Sequence, residues 1–326
     1  MSIELIISLV KANIVLAVLL TNTILLIWFE RKVVAGMQSR VGPDRAGPFG
    51  ILQTLADAIK LLLKEQILPS KADRAMYLLA PLIALVPSFL IFMIIPLGPD
   101  ITVEWQNALY TIPLVGADLN VGVLYFLALS SIAVYSVVLA GWSSGSKYPL
   151  LGGVRASAQM ISYEAAMGLA LVPVILYSGS LSLVDIVNSQ SGNLSSSIPI
   201  LNTIVSFIPK WNIFPQFVAF GIFFIAAVAE VNRAPFDLVE AEQELVGGFH
   251  TEYSGFRFAM FFLAEYINMF NMCAITATFF LGGWLGPTFE GILPPIFSVI
   301  MPIIWLGVKT FLLLFVFVWI RATLPR

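Results

Sequence analysis

Long apolar runs separated by short charged segments set the rhythm of this chain. Stretches near the roughly 20 residues that a helix needs to cross a hydrocarbon core occur at 5–29, 76–97, 119–141, 157–177, 213–231, 257–281 and 296–320. They predict seven spanning helices. Between the first two runs the period changes: from Phe49 to Leu63 the apolar residues Ile51, Leu52, Leu55, Ile59, Leu62 and Leu63 recur at helical spacing, with Asp57, Lys60 and Lys64 among them. That alternation predicts an amphipathic helix lying at the membrane surface. It is entered through the Gly42-Pro43-Asp44 and Gly47-Pro48 turns, with Pro48 suited to a helix start. Pro81, Pro87 and Pro96 can kink the second span and free carbonyls in it. The 98–117 connection reads as polar, and 178–212 as a flexible Ser/Asn-rich link to which no chemistry is assigned. The pattern gives an all-α fold, a polytopic transmembrane bundle of about seven spans with one surface helix, forming a single membrane domain over 1–326.

Composition narrows the class. A soluble chain of 326 residues would suggest two domains, but 59% hydrophobic and 11% charged residues, with a mean hydropathy of +0.93, belong to polytopic membrane proteins. A net charge of -2 leaves no footprint for nucleic acid. The lone Cys273 excludes an intrachain disulfide or a cysteine metal cluster, and the lone His250 has no second histidine to join it, so no metal site is expected. The first run lacks a basic start and a small-residue cleavage site and continues into Phe29-Glu30-Arg31-Lys32, unlike a cleavable signal. Fourteen of the seventeen Lys and Arg residues follow odd-numbered spans: eight between Arg31 and Arg74, then Lys147 and Arg155, Arg233 and Arg257, Arg321 and Arg326. That bias places the 30–74 loop and the 230–257 loop in the cytoplasm, or an organelle's matrix, and the N-terminus on the other side.

Against this apolar background the stretch from Glu230 to Tyr266 stands out. It holds Glu230, Asp237, Glu240, Glu242, Glu244, Glu252 and Glu265, with only Arg233 and Arg257 in return. Asn232 and Pro235 suit the start of a short helix that places Asp237, Glu240 and Glu244 on one face, ended by Gly247-Gly248. Like charges at that spacing repel, so some must bind protons or meet a partner's cations. Two acids lie deeper. Glu164 is nine residues past Arg155 and Glu265 eight past Arg257, about 13 and 12 Å by helical rise, which puts both inside the apolar slab. An intramembrane carboxylate is costly, about 2.5–3.5 kcal/mol on insertion scales, and marks a functional site by default. The plainer reading of Glu164 is a hydrogen bond to Tyr163 or Ser162, and of the loop acids, a solvated surface. Lys309, inside the last span, is a candidate partner for a buried acid. Acids leading inward from a loop to two buried carboxylates describe a polar path into the membrane.

Four stretches carry a family resemblance: ERKVVAGMQSRVGPDRAGPFGILQTLADAIKLLLKE, ISYE, EVNRAPFDLVEAEQELVGGFHTEYSGFRFAMFFLAEY and WIRATLPR. They resemble, in order and over essentially the whole chain, the quinone-chamber membrane subunit of respiratory complex I, known as subunit 1 or the H subunit. The resemblance implies a subunit of a proton-translocating NADH:quinone oxidoreductase, with no redox group of its own and quinone as substrate; FMN and iron–sulfur clusters would sit on partner subunits. Arg31, Arg40, Arg45, Asp57 and Phe236 would border the quinone tunnel. Glu230, Asp237, Glu240, Glu242, Glu244 and Glu252 would form an acidic funnel continued by Glu164 and Glu265, with Arg233, Arg257 and Lys309 as supporting charge. The implied partners are peripheral-arm quinone-site subunits and small membrane-arm subunits, and the implied location is a bacterial inner membrane or an organellar one. Family members continue past ATLPR into a further helix with a segment resembling RYDQLM, so an eighth span is expected beyond Arg326. Two alternatives stay open: the homologous membrane subunit of a nickel–iron hydrogenase, and a stand-alone ion-coupled transporter, which should show internal repeats with broken helices.

Overall fold

Each of the seven apolar runs forms a helix in the computed structural model, which describes residues 3–105, 108–193, 209–237, 245–287 and 296–325. The spanning helices are α1 (Ile3–Met37), α3 (Arg74–Met93), α4 (Gly122–Ser143), α5 (Lys147–Ser178), α7 (Phe217–Glu230), α8 (Gly255–Phe280) and α9 (Ile296–Thr323). Between them lie the surface helix α2 (Gln53–Leu63), the short α6 (Leu183–Ser189), and single 3-10 turns at Pro48–Gly50 and Gly248–His250. The antiparallel hairpin β1 (Ile101–Trp105) and β2 (Ala108–Ile112), paired from Ile101↔Ile112 onward, occupies the 98–117 connection. The 178–212 link is not simply flexible. Ser182 caps α6 by accepting from the Asp185 N–H, and Ile186 and Val187 are fully buried.

Six of these helices are long and apolar enough to cross a membrane. The exception is α7, whose 14 residues rise only about 21 Å where the hydrocarbon core needs roughly 30 Å. The deficit is met at both ends by turns rather than helix. Before α7, the 211–216 turn is pinned by Asn212, which donates to Phe279 O at 2.8 Å, and by Gln190, whose side-chain oxygen accepts from the Asn212 N–H at 3.1 Å. After α7 the helix stops at Glu230 with the chain still inside the protein. The Gln159 amide of α5 then takes over as donor to Ala229 O (2.9 Å) and Phe236 O (2.8 Å), because exposed helix-end carbonyls cannot turn to water there.

Around α8 the other helices assemble, and its residues from Met269 to Phe280 are almost all buried. The core cluster joins Leu19 and Leu26 of α1, Ile91 of α3, Phe126 of α4, Met167 of α5, Phe223 of α7, Phe279 and Phe280 of α8, and Phe317 of α9. Small residues set the closest approaches. A Cβ at Gly141 of α4 would fall 2.5 Å from Pro149 O, and one at Gly152 of α5 would fall 2.8 Å from the Gly248 and Phe249 backbone. The second contact seats the Gly248–His250 turn directly against α5. Within α3, Pro81 lacks the N–H that would bond Tyr77 O four residues back. The Tyr253 hydroxyl supplies it instead at 3.2 Å, with the Tyr77 and Tyr253 rings stacked 4.1 Å apart.

Candidate functional site

The site is built where α7 stops short. Glu230, the last residue of α7, is 6% exposed and accepts from the Ser130 hydroxyl of α4 at 2.8 Å, while its second oxygen has no hydrogen-bond partner among the described residues. The next residue on α4, Ser131, donates to Glu164 on α5. Adjacent serines on one helix thus bring two carboxylates into each other's field. This revises the plainer reading of Glu164: Ser162 donates to its own helix at Ala158 O, and Tyr163 packs on Phe236 at 5.1 Å.

Glu230 and Glu265 face a common cavity of about 80 Å³. A water needs roughly 10–15 Å³ of such space and two to four polar partners, so the cavity has room for several. Its walls are Ala84 of α3, Ala133, Ser136 and Val137 of α4, Met160 of α5, Val231 and Asn232 beyond α7, Phe249 and His250 of the 3-10 turn, and Phe258, Phe261, Phe262, Ala264 and Asn268 of α8. Glu265 pairs in turn with Arg233, 2.8 Å from its Nε, and Arg233 pairs with Glu30 at 3.3 Å while its guanidinium lies over the Tyr266 ring at 4.5 Å. Glu30 also takes Arg321 from the end of α9. The result is a largely buried series of polar groups running Glu164, Ser131, Ser130, Glu230, cavity, Glu265, Arg233, Glu30 and Arg321, drawn from six helices and the segment after α7.

The remaining sequence-predicted residues fall elsewhere. Glu252 offers its carbonyl to the Tyr77 hydroxyl at 2.8 Å and does not line the cavity. Asp237 is half-buried, one residue past the Phe236 carbonyl held by Gln159. Asn232 caps no helix start among the described residues. It has a positive φ of 54° and accepts from Gln159 at 3.3 Å. Glu240, Glu242 and Glu244 lie outside the described residues. Arg257 lies over the Tyr77 ring at 5.5 Å. Lys309 meets no acid among the described residues: its ammonium donates to Leu281 O, Gly283 O (2.9 Å) and Leu285 O and lies 4.3 Å over Trp211. It is corrected from a partner of buried acids to a clamp on the 281–285 turn that follows α8.

A second polar cluster fastens the 38–50 loop and α2 to the end of α1. Arg31 pairs with Asp57 at 2.5 Å, Gln53 donates to Asp57 at 3.1 Å, Lys32 reaches Asp44 at 3.3 Å, and Trp28 donates to Phe49 O at 2.9 Å. Arg45 is exposed, and Arg40 donates to Gln38 at 2.7 Å. Leu52, Leu55, Ile59, Leu62 and Leu63 are all exposed, the apolar face expected of a helix lying on lipid. Sequence reasoning missed five members of the site, Arg321 being counted only for topology. Glu30 was read as part of a basic loop, Ser130 and Ser131 look like any small residues of a packed span, and His250 was weighed only as a metal ligand.

The family model described as NADH dehydrogenase matches residues 10–326 of the chain. A protein from Koribacter versatilis, named as the second H subunit of NADH-quinone oxidoreductase, is 48% identical over 99% of this chain and 89% of its own length. The protein of the same name from Syntrophobacter fumaroxidans is 49% identical over 97% of this chain and 86% of its own. The NADH-quinone oxidoreductase H subunit of Thermomicrobium roseum is 50% identical over 99% and 88%.

Proposed function

The chain belongs to the NADH dehydrogenase family, as a multi-pass membrane subunit whose bacterial relatives are named as the H subunit of NADH-quinone oxidoreductase, and from that premise we propose that it guides quinone and couples quinone reduction to proton translocation. The observation that carries this reading is the cavity shared by Glu230 and Glu265, joined to Glu164 through Ser130 and Ser131. Reducing a quinone to quinol consumes two electrons and two protons, which changes the charge near any adjacent cluster of acids. Carboxylates this close titrate as a unit, so a charge change at one end redistributes protons along the rest. The cavity supplies room for the waters that would carry them.

In this reading the 38–50 loop with Arg40 and Arg45, the Arg31–Asp57 pair and α2 frame the quinone's entry from the bilayer, and Phe236 borders its path. The apolar face of α2 suits an isoprenoid tail, and the ion pairs that tether the helix keep that entry shaped. Asp237, Glu240, Glu242, Glu244 and Glu252 supply the loop side of the funnel. Arg233 and Arg257 act as its counter-charges. The 30–74 and 230–257 loops face the cytoplasm, the N-terminus lies opposite, and the host membrane is the bacterial inner membrane. Partner subunits hold the flavin and iron–sulfur clusters and close the tunnel.

The test is Glu→Gln substitution at 164, 230 and 265 in the assembled complex, reading quinone reduction and proton pumping in sealed vesicles. Each variant is expected to assemble and to lose pumping. Wild-type pumping in all three would remove these acids from the path.

A further inference from the structure

A further cavity lies toward the other end of α1. It is a groove of about 370 Å³ between α1, which contributes Val10, Lys11, Ile14 and Val15, and the segment 112–116 leaving β2, with Leu97 beside it. Backbone contacts fix that second wall. The Leu97 N–H donates to Leu114 O and the Ala117 N–H to Met93 O, each at 2.8 Å. Gly116 allows the latter approach, because a Cβ there would fall 2.5 Å from Met93 O. The groove is therefore pre-formed, as ligand sites usually are. Lys11 stands 20 residues before Arg31, about 30 Å by helical rise, which matches the thickness of a hydrocarbon core. With Arg31 tied to the surface helix at one interface, Lys11 falls at the headgroup level of the other. Its apolar neighbours Val10 and Ile14 are 53% and 57% exposed. Asp100 and Asp118, at the two ends of the connection, are exposed and lie within Coulombic reach of the Lys11 ammonium. One cation and two carboxylates thus edge an apolar groove at the depth where acyl chains meet headgroups.

We propose that this groove binds a phospholipid with a phosphoethanolamine headgroup, in the leaflet opposite the 30–74 loop. An acyl chain lies against Val10, Ile14, Leu97 and Leu114, the lipid phosphate accepts from the Lys11 ammonium, and the lipid's primary ammonium donates to Asp100 or Asp118. The charges select the class. An anionic headgroup without an amine would satisfy Lys11 but bring its phosphate toward two carboxylates. A choline headgroup carries its charge beneath methyl groups and has no N–H to donate. An apolar helix of a partner subunit would use the wall and none of the three charges.

The test uses the assembled complex in nanodiscs of equal parts ethanolamine, choline and glycerol phospholipids. Each preparation carries a trace of one photoactivatable phospholipid, the three probes sharing a diazirine acyl chain and differing in headgroup. Adducts are mapped by mass spectrometry and normalised to the labelling of the whole chain. The ethanolamine probe is expected to label 10–15 and 112–116 roughly fivefold more than the other two, the scale of one charge contact at a membrane surface. Asp100→Asn combined with Asp118→Asn should abolish the preference over the glycerol probe, and Lys11→Gln should lower labelling by all three. Equal labelling of the wild type by the three probes would reduce the groove to unselective contact with the bilayer and overturn the site. So would a preference that survives the loss of both carboxylates, and so would no labelling with any probe, which would mean that protein covers the groove.

Discussion

Lys309 and Glu230 are both ionisable side chains sunk among apolar helices, 5% and 6% exposed, yet their surroundings solve burial in opposite ways. The Lys309 ammonium has three donors, and three carbonyls of the 281–285 turn after α8 take them, with Trp211 covering the remaining side. Nothing about it is left to change. Glu230 has one oxygen satisfied by Ser130 and one unpartnered among the described residues, beside a cavity that holds a second carboxylate. Charge buried with every hydrogen-bonding group matched is structure, because moving a proton or an ion there would strand a partner. Charge buried half-matched beside water-sized space can exchange protons at small cost. Arg233 stands between these cases, matched to Glu30 and Glu265 but touching the cavity wall through Glu265.

The largest expected effect comes from removing that intermediate group. Arg233→Met takes the guanidinium away from Glu265 and leaves Glu30 to Arg321, and breaking a buried pair by deleting one partner costs about 3–5 kcal/mol. Loss of most assembled complex, or a large drop in its thermal midpoint, is expected. Adding Glu265→Gln to the same variant should recover part of the loss, since the uncompensated charge is then gone. No recovery would mean that Arg233 acts through packing on Tyr266 instead.

Next in size is Lys309→Met, which keeps the volume and orphans three carbonyls. Unsatisfied buried acceptors cost about 1–3 kcal/mol each, partly offset by no longer desolvating an ammonium, so a net loss of about 1–3 kcal/mol is expected in thermal unfolding of the complex. Pumping per assembled complex should stay at wild type. A pumping defect without a stability defect would reverse the assignment and return Lys309 to the proton path.

These contrasts were only partly legible in the chain. The seven helices, the surface helix and the depth of Glu164 and Glu265 follow from hydropathy and helical rise, which are local properties. The shortness of α7 was hidden because the run 213–231 is apolar enough to read as one span despite Pro215 and Gln216 at its start, and the carbonyls left where the helix ends are met by an amide on another helix, Gln159. Glu30 was hidden by its neighbours. One position before Arg31, it turns about 100° around α1 and faces inward at 3% exposure. Lys309 read as a partner for acids because sequence shows charge but not carbonyls, and the turn it clamps lies 24 to 28 residues away along the chain.

The smallest effect belongs to the pair on the other side of that helix turn. Arg31 and Asp57 touch at 2.5 Å, but their side chains are 41% and 34% exposed, and exposed pairs contribute about 0–1 kcal/mol, screened further by salt. Asp57→Asn should therefore leave thermal stability within about 1 kcal/mol of wild type, even though it cuts the tether between α1 and α2. What should move is quinone handling, because α2 then leans on packing and on the Trp28 bond: a raised KM for quinone with kcat held, more pronounced at low ionic strength where the pair is strongest. Unchanged kinetics with unchanged stability would show that the tether is incidental and that the apolar face of α2 anchors itself in the bilayer.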